Sequence, residues 1–223
     1  MLDPIDGTKG FLRGQQYAVA LALVRDGQLA LGVMGCPNFS RGGDGENGEG
    51  CMFYAVHGAG AYASPMRANG SGAERVRADA AVPPARARLA ESHGTSVVSA
   101  HGTTAQVAKK VGLGLPPLQM DSMAKYASVA CGDAHVYMRF RPADYREKIW
   151  DHAAGAIVAS EAGCAVSDVD GAPLNFSRGR FLDVAGGIVA APPALHAAVL
   201  EAARSIDLPA RPATHDEAEK GSD

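Results

Sequence analysis

The residues of this chain best suited to chemistry stand at its start. Asp3 and Asp6 flank Pro4 and Ile5, and Gly7 and Thr8 follow directly. Asp-Pro and Asp-Gly are common turn dipeptides, so a plain acidic turn is one reading of this stretch. The other reading is a divalent-metal site, because carboxylates suit hard cations such as Mg²⁺. Pro4 fixes its own φ and so constrains the directions of both acids. The turn also leaves the Ile5 carbonyl facing the same side. Gly7 and Thr8 then open a short helical turn whose free N–H groups are able to receive a phosphate oxygen. A metal beside a helix N-terminus is a coherent phosphate site.

A second acidic feature lies far along the chain, in EKIWDHAAG at residues 147–155. Asp151 is placed to begin a helix, either as its N-cap or as a further metal ligand held rigid by the packed helix. His152 reads as a half-buried structural histidine. Lys125 and Arg139, taken alone, read as a solvated helix face and a polar strand end. In the alternative reading both form charge-assisted bonds to a phosphate, Arg139 through its planar fork. None of the four cysteines (Cys36, Cys51, Cys131 and Cys164) forms a Cys-x-x-Cys pair or a zinc-like spacing. They read as reduced, mostly buried thiols of an intracellular protein. No side chain has the setting of an activated covalent nucleophile.

These residues must be positioned by elements that the apolar pattern outlines. Residues 17–37 read as two strands joined by Asp26-Gly27, a hairpin signal. Both strands are apolar on nearly every residue, so both sheet faces are expected to be covered. Residues 51–64 read as two more strands about His57-Gly58, giving an antiparallel sheet. Composition shifts to Gly, Pro, Ala and Arg over residues 64–94. After that come a strand at 86–92, helices at 103–112 and 122–132, a strand at 134–140, a helix at 151–163, a strand at 186–191 and a last helix at 193–205. The expected division is 1–80 as a sheet domain carrying the acidic motif, 85–206 as an α/β domain, and 207–223 as a disordered tail. The formal net charge of −3 gives no basic surface on the scale that nucleic acid requires. A polyanionic substrate would need a locally basic pocket instead. No apolar run approaches the ~20 residues of a membrane helix.

Taken together, LDPIDGTKGFLRGQQYAVALAL at residues 2–23 and EKIWDHAAG resemble the inositol monophosphatase superfamily of Mg²⁺-dependent, lithium-sensitive phosphatases. The run Lys9-Gly10-Phe11-Leu12-Arg13-Gly14 resembles its 3'(2'),5'-bisphosphate nucleotidase branch, where the inositol enzymes carry Thr-Asn-Phe. The likeness continues through GCPN, DSMAKY and VYMRF to about Ala203. It weakens at residues 40–50 and 83–104. The resemblance implies alternating α and β layers, two or three Mg²⁺ ions, and hydrolysis of the 3'(2')-phosphate of adenosine 3'(2'),5'-bisphosphate to AMP and phosphate. The phosphosulfate nucleotide is a further implied substrate. It also implies roles. Asp3 would bridge metals, Ile5 would lend its carbonyl, Asp6 would bind a second ion and Asp151 would complete that second site. Thr8 would orient the attacking water, and the Gly7 and Thr8 N–H groups would hold the scissile phosphate. Ser122, Lys125, Arg139 and, where the likeness weakens, His101 would contact the rest of the nucleotide.

Relatives of this kind carry further helices, strands, an early acid and a Glu-Glu metal motif ahead of the Asp-Pro-Ile-Asp segment. The expectation is a chain without that segment, leaving apolar sheet surface uncovered and the metal site short of a bridging carboxylate. Two alternatives follow. One is a nucleotide-binding remnant with impaired turnover; the other is an inositol polyphosphate 1-phosphatase. Compartment and oligomeric state are not legible in the sequence.

Overall fold

The computed structural model describes residues 1–42, 49–68, 71–93, 101–140, 145–182, 184 and 186–206 of the 223. The expected tail at 207–223 lies outside the described residues, as does the side chain of His101.

The first sheet has six strands in chain order: β1 (Leu2–Asp6), β2 (Ala18–Arg25), β3 (Gln28–Cys36), β4 (Cys51–Val56), β5 (Gly60–Pro65) and β6 (Glu74–Val76). All its pairings are antiparallel. A short helix, α1 (Thr8–Leu12), connects the first two strands. The β2–β3 hairpin turns at Asp26 and Gly27, both at positive φ, as the sequence leads one to expect. The second sheet is mixed. Its order is β11 (Ala165–Asp168), β13 (Gly187–Ala191), β9 (Val136–Phe140), β7 (Leu89–Glu91) and β8 (Leu118–Gln119), with β7 parallel to both β8 and β9. A small pair, β10 (Glu147–Lys148) and β12 (Phe181–Leu182), lies apart.

Two helices, α3 (Ala124–Cys131) and α4 (Ala153–Glu161), fill the space between the sheets, α4 on β3, β4 and β5 and α3 on β7, β9 and β13. Both are buried nearly all round, which is why neither shows an amphipathic stripe in sequence. Their crossing depends on Gly155, where a Cβ would lie 2.3 Å from the Tyr126 ring. The remaining helices, α2 (His101–Val111) and α5 (Pro193–Arg204), pack on the outer face of the second sheet. The result is an α/β fold of alternating layers, from sheet to helix pair to sheet to helix pair.

Three expectations need correction. The opening is not a free turn but an edge strand, β1, paired with β2. Asp151 does not cap the helix that follows; it ends a 3₁₀ turn, Ile149–Asp151, and α4 starts only at Ala153. The first sheet is covered on one face only, against the two-faced burial read from the strands themselves but in keeping with the uncovered apolar surface expected from the resemblance. Along β2, Ala18, Ala20 and Ala22 are buried while Val19, Leu21 and Leu23 are 42%, 48% and 55% exposed. An alternation of small and large apolar residues therefore reads in sequence as a strand buried on both faces. Here the alanines fit under the α4 layer and the larger side chains stand on the open side.

Candidate active site

The register of β1 explains how two acids three residues apart come to share a face. In a regular strand they would point to opposite sides. Here Asp3 is paired with Ala20 and Asp6 with Ala18, so three steps on β1 oppose two on β2. This bulge lies at Pro4 and Ile5, where proline has no N–H to give to the ladder. Both acids thus oppose residues of the buried face. There they meet the 3₁₀ turn that carries Asp151, which packs against β1. Burial raises the Asp3 carboxyl above its ordinary value, and the Asp151 charge adds to it. Burial likewise raises Asp6. Burial and the Asp6 charge push Asp151 up to about 6. Three carboxylates that resist ionising together mark a place where a cation is favoured.

From Asp6 the chain turns through Gly7 at φ 80°, which packs directly on Ser122 at φ 73°. A Cβ on Gly7 would lie 2.8 Å from the Ser122 Cβ. The junction is fastened on both sides. The Met123 N–H donates to the Asp6 carboxylate, and Arg13, just past α1, pairs with the Asp121 carboxylate. Thr8 donates its hydroxyl proton to the Ile5 carbonyl at 3.4 Å, so its oxygen remains an acceptor toward the cavity.

A cavity of about 360 Å³ opens here, lined among others by Asp6, Gly7, Thr8, Ser122, Lys125, Arg139 and Asp151. Lys125 is no solvated helix residue: it is 4% exposed, and its ammonium donates to Ser92 Oγ at 3.1 Å and to the Met120 carbonyl at 3.3 Å. Burial brings its pKa down to about 8. Arg139 donates from Nε to Glu147 Oε1 at 2.7 Å. The other oxygen of Glu147 lies 3.0 Å from His152 Nε2, and His152 Nδ1 lies 2.9 Å from the Tyr126 hydroxyl. Burial of Glu147 would raise its pKa, but Arg139 and His152 outweigh that and hold it near 2. His152 is fully buried and structural, not half-buried. A larger cavity of about 760 Å³ lies between the β2–β3 turn, α4 and residues 173–177. Of the two carboxylates that line it, Asp26 stands in the hairpin turn and Glu161 already accepts from the Gly58 and Gly60 N–H groups at 2.7 and 2.8 Å. The converging charges belong to the smaller cavity.

Asp6, Gly7, Thr8, Ser122, Lys125, Arg139 and Asp151 thus come together around one space, with Asp3 and Ile5 on the strand behind. The sequence reading passed over Glu147, Tyr126, Tyr137, Tyr145, Arg13 and Asp121. Tyr137, Tyr145 and Asp121 line the cavity. Arg13, Glu147 and Asp121 lie inside segments already noted for their motifs, and that adjacency was the available signal. Among the described residues, no three His, Cys, Asp or Glu side chains close into a preformed metal group. Oxygen donors in an incomplete set fit Mg²⁺, which usually keeps waters and takes one or two carboxylates together with substrate phosphate.

A model of the inositol monophosphatase family matches residues 1–208. A curated relative from Oryza sativa, "3'(2'),5'-bisphosphate nucleotidase", is 46% identical over 209 residues, covering 91% of this chain and 58% of the relative. An Arabidopsis thaliana relative, "Probable 3'(2'),5'-bisphosphate nucleotidase 4", is 42% identical over 204 residues, covering 92% of this chain and 57% of its own. The chain therefore spans less than two thirds of the length of these relatives. Among solved structures, "Thermotoga maritima IMPase TM1415" superposes with a TM-score of 0.66 at 23% identity, covering 92% of this chain and 67% of that one, a likeness of fold. With a family match running over nearly its whole length, the chain belongs to the inositol monophosphatase family.

Proposed function

We propose that this chain carries the site of a Mg²⁺-dependent phosphatase that removes the 3'(2')-phosphate from adenosine 3'(2'),5'-bisphosphate, giving AMP and phosphate. The observation that carries this reading is the polarity of the cavity. Asp6 and Asp151 line it, with Asp3 behind them, and their carboxylates resist ionising side by side. Two cations line it as well, the buried Lys125 and the partly exposed Arg139. A substrate with one phosphate for a metal on the acids and a second for the cations matches that lining. The names of the two plant relatives support the same substrate.

In this reading Asp3, Asp6, Asp151 and the Ile5 carbonyl would hold Mg²⁺, which supplies a water of lowered pKa and a clamp on phosphoryl oxygens. The Gly7 and Thr8 N–H groups hold the phosphoryl group to be removed. The Thr8 oxygen accepts from the attacking water and sets its line of approach. Ser122, Lys125 and Arg139 hold the sugar and the phosphate that remains. The protein contributes position and charge, with no covalent nucleophile. His101 is proposed as a nucleoside contact, and the phosphosulfate nucleotide as a further substrate.

A second reading is binding without turnover, since Lys125 and Arg139 line the cavity and need no metal to hold a phosphate. Calorimetry with adenosine 3',5'-bisphosphate and Mg²⁺, run beside a phosphate-release assay, separates the two. Binding with release supports hydrolysis, binding alone supports the second reading, and neither rejects both.

A further inference from the structure

Glu147 is the most deeply placed acid near the cavity, fully buried, yet it does not line it. Taking a carboxylate out of water costs several kcal/mol after relaxation, roughly, unless good partners surround it. Its partners here are specific. One oxygen takes the Nε proton of Arg139 and the other meets Nε2 of His152. Facing a carboxylate, which only accepts, His152 Nε2 must be the donor, and its Nδ1 meets the Tyr126 hydroxyl at 2.9 Å. Tyr126 is itself fixed: it is fully buried in α3, meets Tyr137 edge-on at 4.7 Å and presses on Gly155 of α4. The brace therefore runs from the packed α3–α4 crossing to the guanidinium.

A guanidinium is planar and carries five N–H donors in a rigid fork. Once Nε–H is committed to Glu147, the plane and direction of the group are set, and its terminal nitrogens, held also by the Tyr137 and Tyr145 hydroxyls, are the donors available to the cavity that all three residues line. We propose that Glu147 is a positioning residue which, braced by His152 and Tyr126, aims the terminal N–H groups of Arg139 at the phosphate the nucleotide keeps, and so makes the site select bisphosphorylated over monophosphorylated nucleotides. This inference rests on the substrate reading given above and deepens it.

The test uses the full chain in metal-free buffer, titrated with adenosine 3',5'-bisphosphate and with adenosine 3'-monophosphate. Glu147→Ala should weaken the bisphosphate about 10-fold or more, the range of a charge-assisted hydrogen bond, and leave the monophosphate within about 2-fold. Glu147→Gln, whose amide oxygen still accepts from Nε, should restore most of the loss. Equal losses on both nucleotides, or no loss on either, overturn the proposal. Where Glu147→Ala does not fold, Glu147→Asp, one methylene shorter, is held to the same selective loss. Should the unaltered chain bind neither nucleotide, the substrate reading fails and the Arg139 Nε–H resonance decides the brace. Slow exchange that is lost in the variant upholds it, and fast exchange in the unaltered chain overturns it.

Discussion

Replacing Gly7 by alanine strikes the junction on which the site is built. The new Cβ would lie 2.8 Å from Ser122 Cβ, 3.0 Å from its N and 3.2 Å from its Cα. None of these atoms moves with a side-chain rotation, so the backbone itself must give. Carbon contacts are comfortable at about 3.5–4.0 Å, which asks for a retreat of about 1 Å. Gly7 also sits at φ 80°, a region costing an L-residue about 1–2 kcal/mol. Overpacking adds about 1–3 kcal/mol, for a total loss of about 2–5 kcal/mol. The same retreat moves the Gly7 and Thr8 N–H groups from the phosphoryl position proposed for them. A 1 Å misplacement costs about 100-fold in rate, or about 2.7 kcal/mol of activation free energy. Urea unfolding and phosphate release from adenosine 3',5'-bisphosphate read the two effects. Adding Ser122→Gly removes the struck Cβ and should return at least ~1 kcal/mol of stability, a coupling that double-mutant cycles resolve. A Gly7→Ala chain within about 1 kcal/mol of the parent in stability, binding nucleotide as tightly, would refute the reasoning.

Further outcomes follow from the same geometry. Lys125 has its pKa lowered to about 8, so its charge is present below that pH and lost above it; nucleotide affinity should fall by up to about 10-fold per pH unit on going above pH 8, and Lys125→Gln should flatten that slope. Asp151→Asn should weaken Mg²⁺ binding by about 10–100-fold or more in a calorimetric titration while the urea midpoint changes little. Gly155→Ala drives a methyl into the Tyr126 ring, 2.3 Å away, and should cost about 1–3 kcal/mol in urea unfolding.

Much of this site was legible because its chemistry sits in short runs. Asp3, Asp6, Gly7 and Thr8 are neighbours in the chain, and the hairpin at Asp26-Gly27 is written in two residues. What escaped depends on relations between distant segments. The one-residue bulge that turns Asp3 and Asp6 to one face appears only once β1 is paired with β2. The N-cap assigned to Asp151 failed because a 3₁₀ turn imitates a helix start over three residues. Lys125 reads as a surface lysine until α3 is seen enclosed between two sheets. Glu147 has no signal of its own: its meaning comes from Arg139, eight residues earlier, and His152, five later, meeting in space.

The central claim is a site for a nucleotide with two phosphates, and the most direct measurement is phosphate release by the full chain with Mg²⁺, adenosine 3',5'-bisphosphate against inositol 1-phosphate in parallel. The account predicts release from the nucleotide well above that from the inositol ester. Equal or faster release from inositol 1-phosphate would contradict it.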